Sequence, residues 1–271
     1  MILGHTMRLY FKLIGIRVRA QMQYRLSFWV DLAGTGLATG VEFLTLAAVF
    51  GRFGSIGGWS LGEVAFLYGL VETAFATMDM IFSGFDPDFF SQQVRRGTFD
   101  QMLLRPVSLP LQIFASEFLL RRIGRMAQGL AVWGFSLTLT HIAWTPAKLL
   151  YLPVVTVSTV AFFGGLFVAG AALCFYTVQS IEAVNIFTYG GTYMLSYPMH
   201  IYDEWFRRFF IYIVPSALLV YYPALFFLDK PDPLGLPSFA PFLAPLAGFG
   251  TLLAAFALWW VGVRRYTSTG T

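Results

Sequence analysis

The chain has 271 residues, of which 57% are hydrophobic and only 12% charged, with a formal net charge of +4. A soluble domain carries about a quarter charged residues, so this composition excludes a water-exposed globular fold and points to helices in lipid. The single cysteine, Cys174, excludes an intramolecular disulfide and argues against a thiolate metal cluster.

Met7–Arg25 is the first predicted element. At about 100° per residue, Arg8, Lys12 and Arg19 share one stripe while Leu9, Phe11, Leu13 and Val18 lie elsewhere. The segment reads as a basic amphipathic helix on the inner leaflet, or more simply as a positive flank, held by anionic headgroups. A spanning helix needs about 20 mainly apolar residues. Leu26–Phe50 is the first such stretch and Leu61–Gly84 the second. Gly36 and Gly40 form a small-residue face on the first, which predicts close helix packing. Asp31 and Glu42 share one face of that stretch, and Glu72 and Asp79 one face of the next. No Lys or Arg sits in either apolar interior, so these four acids have no obvious basic partner and are expected to face a cavity or a partner; Glu42 and Glu72 either contact substrate or are protonated or hydrogen-bonded packing residues. Glu42, Glu72 and Asp79 are the candidate substrate path, with Asp31 near enough to Arg25 to pair with it.

The inner loop 85–125 follows. Asp86-Pro87-Asp88 is a helix-start pattern: a capping carboxylate, proline at the first helical position, and a further acid near the positive end of the dipole. The predicted helix runs through Phe89, Phe90, Gln93 and Val94 and stops at Gly97, after Arg95 and Arg96. Leu103-Leu104-Arg105-Pro106 opens a second short element. Such a loop is either an interfacial segment whose arginines hold phosphates or a helix offered to a cytosolic partner.

Four more apolar stretches, Met126–Thr145, Leu149–Gln179, Ala183–Tyr197 and Ala240–Val263, bring the expected spans to six. Gly164, Gly165 and Gly170 of the fourth read as packing positions. Between the fifth and sixth lies Pro198–Leu228, apolar but interrupted by Asp203, Glu204, Arg207, Arg208, Pro215 and Pro223. It is expected to form two half-helices that dip in and return to the same side. With both termini cytoplasmic, Arg52, Lys148, Arg207, Arg208 and Lys230 fall outside and the other 13 of the 18 basic residues inside, as the positive-inside rule requires.

Taken in this order, the elements resemble an ABC-2-type transporter permease. The resemblance rests on a basic interfacial helix, six spans, and the run Gly97-Thr98-Phe99-Asp100-Gln101-Met102-Leu103-Leu104-Arg105-Pro106-Val107 after the second span. It rests also on Trp59-Ser60-Leu61-Gly62-Glu63 opening that span, and on Tyr197-Pro198, Asp203-Glu204-Trp205, Val214-Pro215 and Tyr222-Pro223 before the last. It implies one all-α integral membrane domain over residues 1–271 in the cytoplasmic membrane. It also implies an exporter subunit that works as a homodimer or heterodimer with two ATP-binding subunits. Asp88, Phe89, Gln93, Arg95, Arg96 and Arg105 would then couple to the ATPase, and Pro198, Trp205, Pro215 and Pro223 would belong to an outer gate.

The chain is not expected to hydrolyse ATP, since none of Lys12, Lys148 and Lys230 follows a glycine as a phosphate-cradling loop requires. ATP and magnesium would sit on the partner. No cofactor or metal is expected on this chain: His5, His141 and His200 are scattered, and a metal needs three or four converging ligands. Nucleic acid is not an expected partner, because the basic residues track the inner interface. Membrane lipids are. The aromatic richness and the intramembrane acids favour a small amphipathic or cationic cargo, with a lipid or glycan as the alternative. An ion-coupled transporter using the same carboxylates would show internal repeats, and none is visible.

Overall fold

A computed structural model describes residues 2–177 and 182–268, with side chains from residue 8 onward and, after the gap, from residue 184. The first helix, α1 (Ile2–Met22), precedes α2 (Arg25–Phe53) and α3 (Leu61–Ile81). Ser60 starts α3 through a capping box: its hydroxyl accepts from the Glu63 amide, and the Glu63 carboxylate accepts from the Ser60 amide at 2.8 Å. Three short helices make up the loop expected to face the cytoplasm: α4 (Pro87–Arg95), α5 (Thr98–Leu103) and α6 (Leu109–Phe114). They lead to α7 (Arg122–Leu139), α8 (Pro146–Thr177) and α9 (Glu182–Leu195). The chain then turns through α10 (Glu204–Arg208), a π-helical turn over Phe209–Ile213, and α11 (Tyr221–Phe227), and ends in α12 (Ala244–Arg265).

The helix α3 is the central post, buried along most of its length, with α7 and α8 packed beside it and α12 packed on α8. Glycines set these approaches. A Cβ on Gly129 would meet Thr73, one on Gly69 would meet Trp133, and one on Gly248 would meet the Ser158 carbonyl. Gly164 lies under the Phe82 ring, Gly165 against the backbone of α12, and Gly170 against Pro87, so all three are packing positions. Of the predicted face on α2, Gly36 packs on Gly124 of α7, whereas nothing lies within 4 Å of Gly40. Helix α2 leaves an apolar face uncovered, with Leu26, Trp29, Leu37, Val41, Leu44 and Phe53 exposed.

Among the described residues, α2, α3, α8 and α12 are long and apolar enough to cross a membrane. The pair Glu204–Ile213 and Ser216–Phe227, bent by 75°, makes a fifth crossing if it is one broken span. The remaining two expected spans are shorter: α7 has 18 residues and begins with Arg122 and Arg125, and α9 has 14. The predicted end of the fourth span, Gln179, lies outside the described residues.

Candidate coupling and translocation site

The inner loop is a built structure. Asp86 Oδ1 accepts from the Asp88 and Phe89 amides at 3.0 and 3.1 Å, capping α4. Burial raises the Asp86 carboxyl above its ordinary value, and those two amides, by bonding the ionised form, oppose it. Pro87 occupies the first turn, and Gly97 closes the helix with φ +65°, in the left-handed region. The apolar side of the loop (Phe90, Val94, Phe99 and Met102) is buried. Phe90 and Phe99 pack edgewise or tilted on Phe175 of α8, and Phe99 on Tyr266 just beyond α12. Cys174 contacts the Pro87 carbonyl at 3.6 Å. With that side anchored, Asp88, Arg95, Arg96 and Arg105 are exposed, and Phe89 and Gln93 half-buried. Four of the six predicted coupling residues are thus exposed, with Arg105 beyond the end of α5.

The base of the loop is closed. Ser83 donates to the Glu117 carbonyl at 3.1 Å, and Gly84 lies so close to the Ile113 carbonyl that a Cβ would collide with it. Helix α1 joins here. Gln21 of α1 donates to the Phe118 carbonyl at 2.5 Å and accepts from the Leu120 amide at 3.1 Å. Burial raises the Glu117 carboxyl, with Arg17 and Arg121 pulling it back.

Farther from the loop, the reading of the intramembrane acids as having no obvious basic partner is corrected for two of them. Arg125 forks onto Glu72, Nε to Oε2 at 2.5 Å and Nη2 to Oε1 at 2.9 Å, with its guanidinium 4.7 Å from the centre of the Phe75 ring. Arg122 Nε lies 2.7 Å from Asp79 Oδ2. These arginines were assigned to the loop, but α7 begins four residues before the predicted span and carries both into the helix pair. Glu42 behaves differently. Its Oε1 accepts from the Tyr193 hydroxyl of α9 at 3.2 Å, while Oε2 is buried without a hydrogen-bond partner. Asp31 is exposed and forms no ion pair with Arg25.

On the opposite side, the α2–α3 connection covers α11. His200 lies 2.7 Å from the Gly57 carbonyl through Nε2 and 3.1 Å from the Tyr221 hydroxyl through Nδ1. Trp59 stacks on Tyr221 at 5.8 Å. Lys230 pairs with Glu63 at 2.6 Å, and the buried Lys148 with Asp229 at 2.6 Å. Pro198 and Pro223 are buried, Pro215 sits at the 75° bend, and Trp205 is exposed. The four predicted gate residues thus lie along one segment, partly buried and partly exposed, spread from Pro198 to Pro223.

The family profile described as "ABC-2 family transporter protein" matches residues 37–270, nearly the whole chain. The chain belongs to the ABC-2 transporter family. Neither a curated protein nor a solved structure matches it. An ABC-2 permease is a multi-pass membrane transport component, and permeases of this family typically work with an ATP-binding subunit. In this permease the residues missed in the sequence are the partners: Arg122, Arg125, Gln21, Trp59 and Tyr193. One signal was available. Extending the third span back by one turn places Arg122 and Arg125 three apart on one face, opposite Glu72 and Asp79 in an antiparallel neighbour.

Proposed function

We propose that the chain is the membrane subunit of an ATP-driven exporter, paired with a second permease and two ATP-binding subunits in the cytoplasmic membrane. The observation that carries this reading is α4, a capped helix whose apolar side is fixed to α8, with α5 beside it packed on Tyr266, and whose exposed side presents Asp88, Arg95, Arg96 and nearby Arg105. A surface with three exposed arginines suits an acidic groove on the ATPase. Closure of the two ATPases would push α4, and with it α3 and α7. The covered segment over α11 would part on the outer side, in the six-span arrangement with both termini inside.

Cargo is the small amphipathic or cationic class, met by Glu42. Its carboxylate keeps one oxygen without a partner beside the exposed Tyr193 ring, an arrangement that favours a cation with an apolar body. Arg95→Glu/Arg96→Glu should lower transport at least tenfold while membrane insertion survives; unchanged transport removes the docking role. Glu42→Gln should reduce efflux of a cationic dye more than that of a neutral one. Equal loss of both removes the charge recognition and favours a lipid or glycan cargo. The arginine pairs on Glu72 and Asp79 count against an ion-coupled mechanism through those carboxylates.

A further inference from the structure

Glu72 and Asp79 are each 1% exposed and each faces an arginine: Glu72 is hydrogen-bonded by the Arg125 fork, while Asp79 is paired with Arg122 by charge and proximity, without hydrogen-bond geometry. They stand seven residues apart on α3, and their partners stand three apart on α7, in the reversed order that antiparallel helices require. These two helices are the legs of the inner loop: α3 runs into α4 through the Ser83–Phe85 turn, and α7 leaves the loop at Arg121.

We propose that the ion pairs Glu72–Arg125 and Asp79–Arg122 hold these legs in register, so that α3, α4 and α7 move as one body when the ATPase acts; the idea rests on the exporter reading above. The close approaches at Gly62, Gly69 and Gly129 set the spacing of α3 and α7. The ion pairs add a charge match that only one register satisfies. The Arg125 fork fits Glu72 in one geometry, and a slip of one turn would strand the opposite charges of both pairs apart in a low-dielectric interior. Two pairs at different heights resist rotation as well as translation. The Ser83–Glu117 hydrogen bond and the Gly84–Ile113 contact close the loop below them. A push on α4 then reaches both legs together instead of shearing one past the other. Glu72, Asp79, Arg122 and Arg125 are thereby positioning residues for transport.

The test uses the full-length permease purified with its co-purifying ATP-binding subunit, in lipid nanodiscs and a Cys174→Ser background. Nitroxides go on exposed Gln92 of α4 and Thr138 near the outer end of α7. A second pair joins Gln92 to exposed Val41 of α2. Pulsed electron–electron resonance compares the nucleotide-free and ATP-vanadate states. The Gln92–Thr138 distance should be narrow and equal in both, while Gln92–Val41 changes. In Glu72→Leu/Arg125→Met, the Gln92–Thr138 distribution should broaden or shift by up to about one turn, ~5 Å. Arg125→Lys, which keeps the charge and loses the fork, should broaden it too and serves where the double variant does not fold. A shift of Gln92–Thr138 on trapping in the parent protein overturns the proposal, as does a parent-like distribution in the variants. If neither pair responds to nucleotide, or no ATPase co-purifies, the exporter reading fails and takes this inference with it.

Discussion

A buried charge is expensive unless it is matched, and Arg125 shows what that implies for single substitutions. Glu72→Gln would leave the guanidinium 8% exposed against a neutral amide. The expected loss is about 3–5 kcal/mol, the cost typical of removing one partner of a buried pair. Thermal unfolding in detergent should therefore show Glu72→Gln well below Glu72→Leu/Arg125→Met, in which no charge remains unmatched. Asp79→Asn should cost less than Glu72→Gln, because the Arg122 side chain keeps 20% of its surface exposed and can reach polar surroundings. Equal losses at the two positions would show that burial does not set the cost. The Asp86 cap works at the same scale. Asp86→Ala removes the acceptor for two amides and should cost about 1 kcal/mol, read as faster amide exchange in the first turn of α4. Asp86, Pro87 and Gly97 were legible in the sequence because capping is local, with every partner within three residues.

At the level of elements, α4 is held by its buried side and α11 by its cover. The cover joins the α2–α3 connection to α11 through His200, Trp59 and Lys230, contacts between residues more than 140 positions apart. His200→Ala removes the bridge between the Gly57 carbonyl and the Tyr221 hydroxyl. A cysteine at Leu225, 3% exposed in the parent, should then react faster with a membrane-impermeant maleimide added from outside. An unchanged rate would show that the Lys230–Glu63 pair keeps the segment shut alone. The break in this segment was readable from Pro215, since proline removes a donor and ends a helix, whereas Pro223 sits in the first turn of α11, where a missing donor costs nothing. Its 75° bend and the cover over it were not readable, because they depend on which distant turn lies above. The glycines divide in the same way: Gly36 meets Gly124, whereas Gly40, identical in sequence terms, meets nothing.

For the whole molecule, α2 packs chiefly on α7 and leaves a long apolar face outward, while α3 lies at the centre. Amide exchange in nanodiscs should follow that order, with the inner half of α3 protected most and α1 least. Equal protection of α1 and α3 would contradict the central-post arrangement. Composition and hydropathy by themselves determined that this is a helical membrane protein, roughly where its helices lie, and how the inner helix begins and ends. Those properties depend on residues within a turn or two of one another. The tertiary structure alone decided which charges meet. Glu72 and Arg125 are 53 positions apart, and nothing local links them. Their encounter follows from the antiparallel packing of α3 on α7, which turned two carboxylates expected to wait for a substrate into parts of an internal clamp.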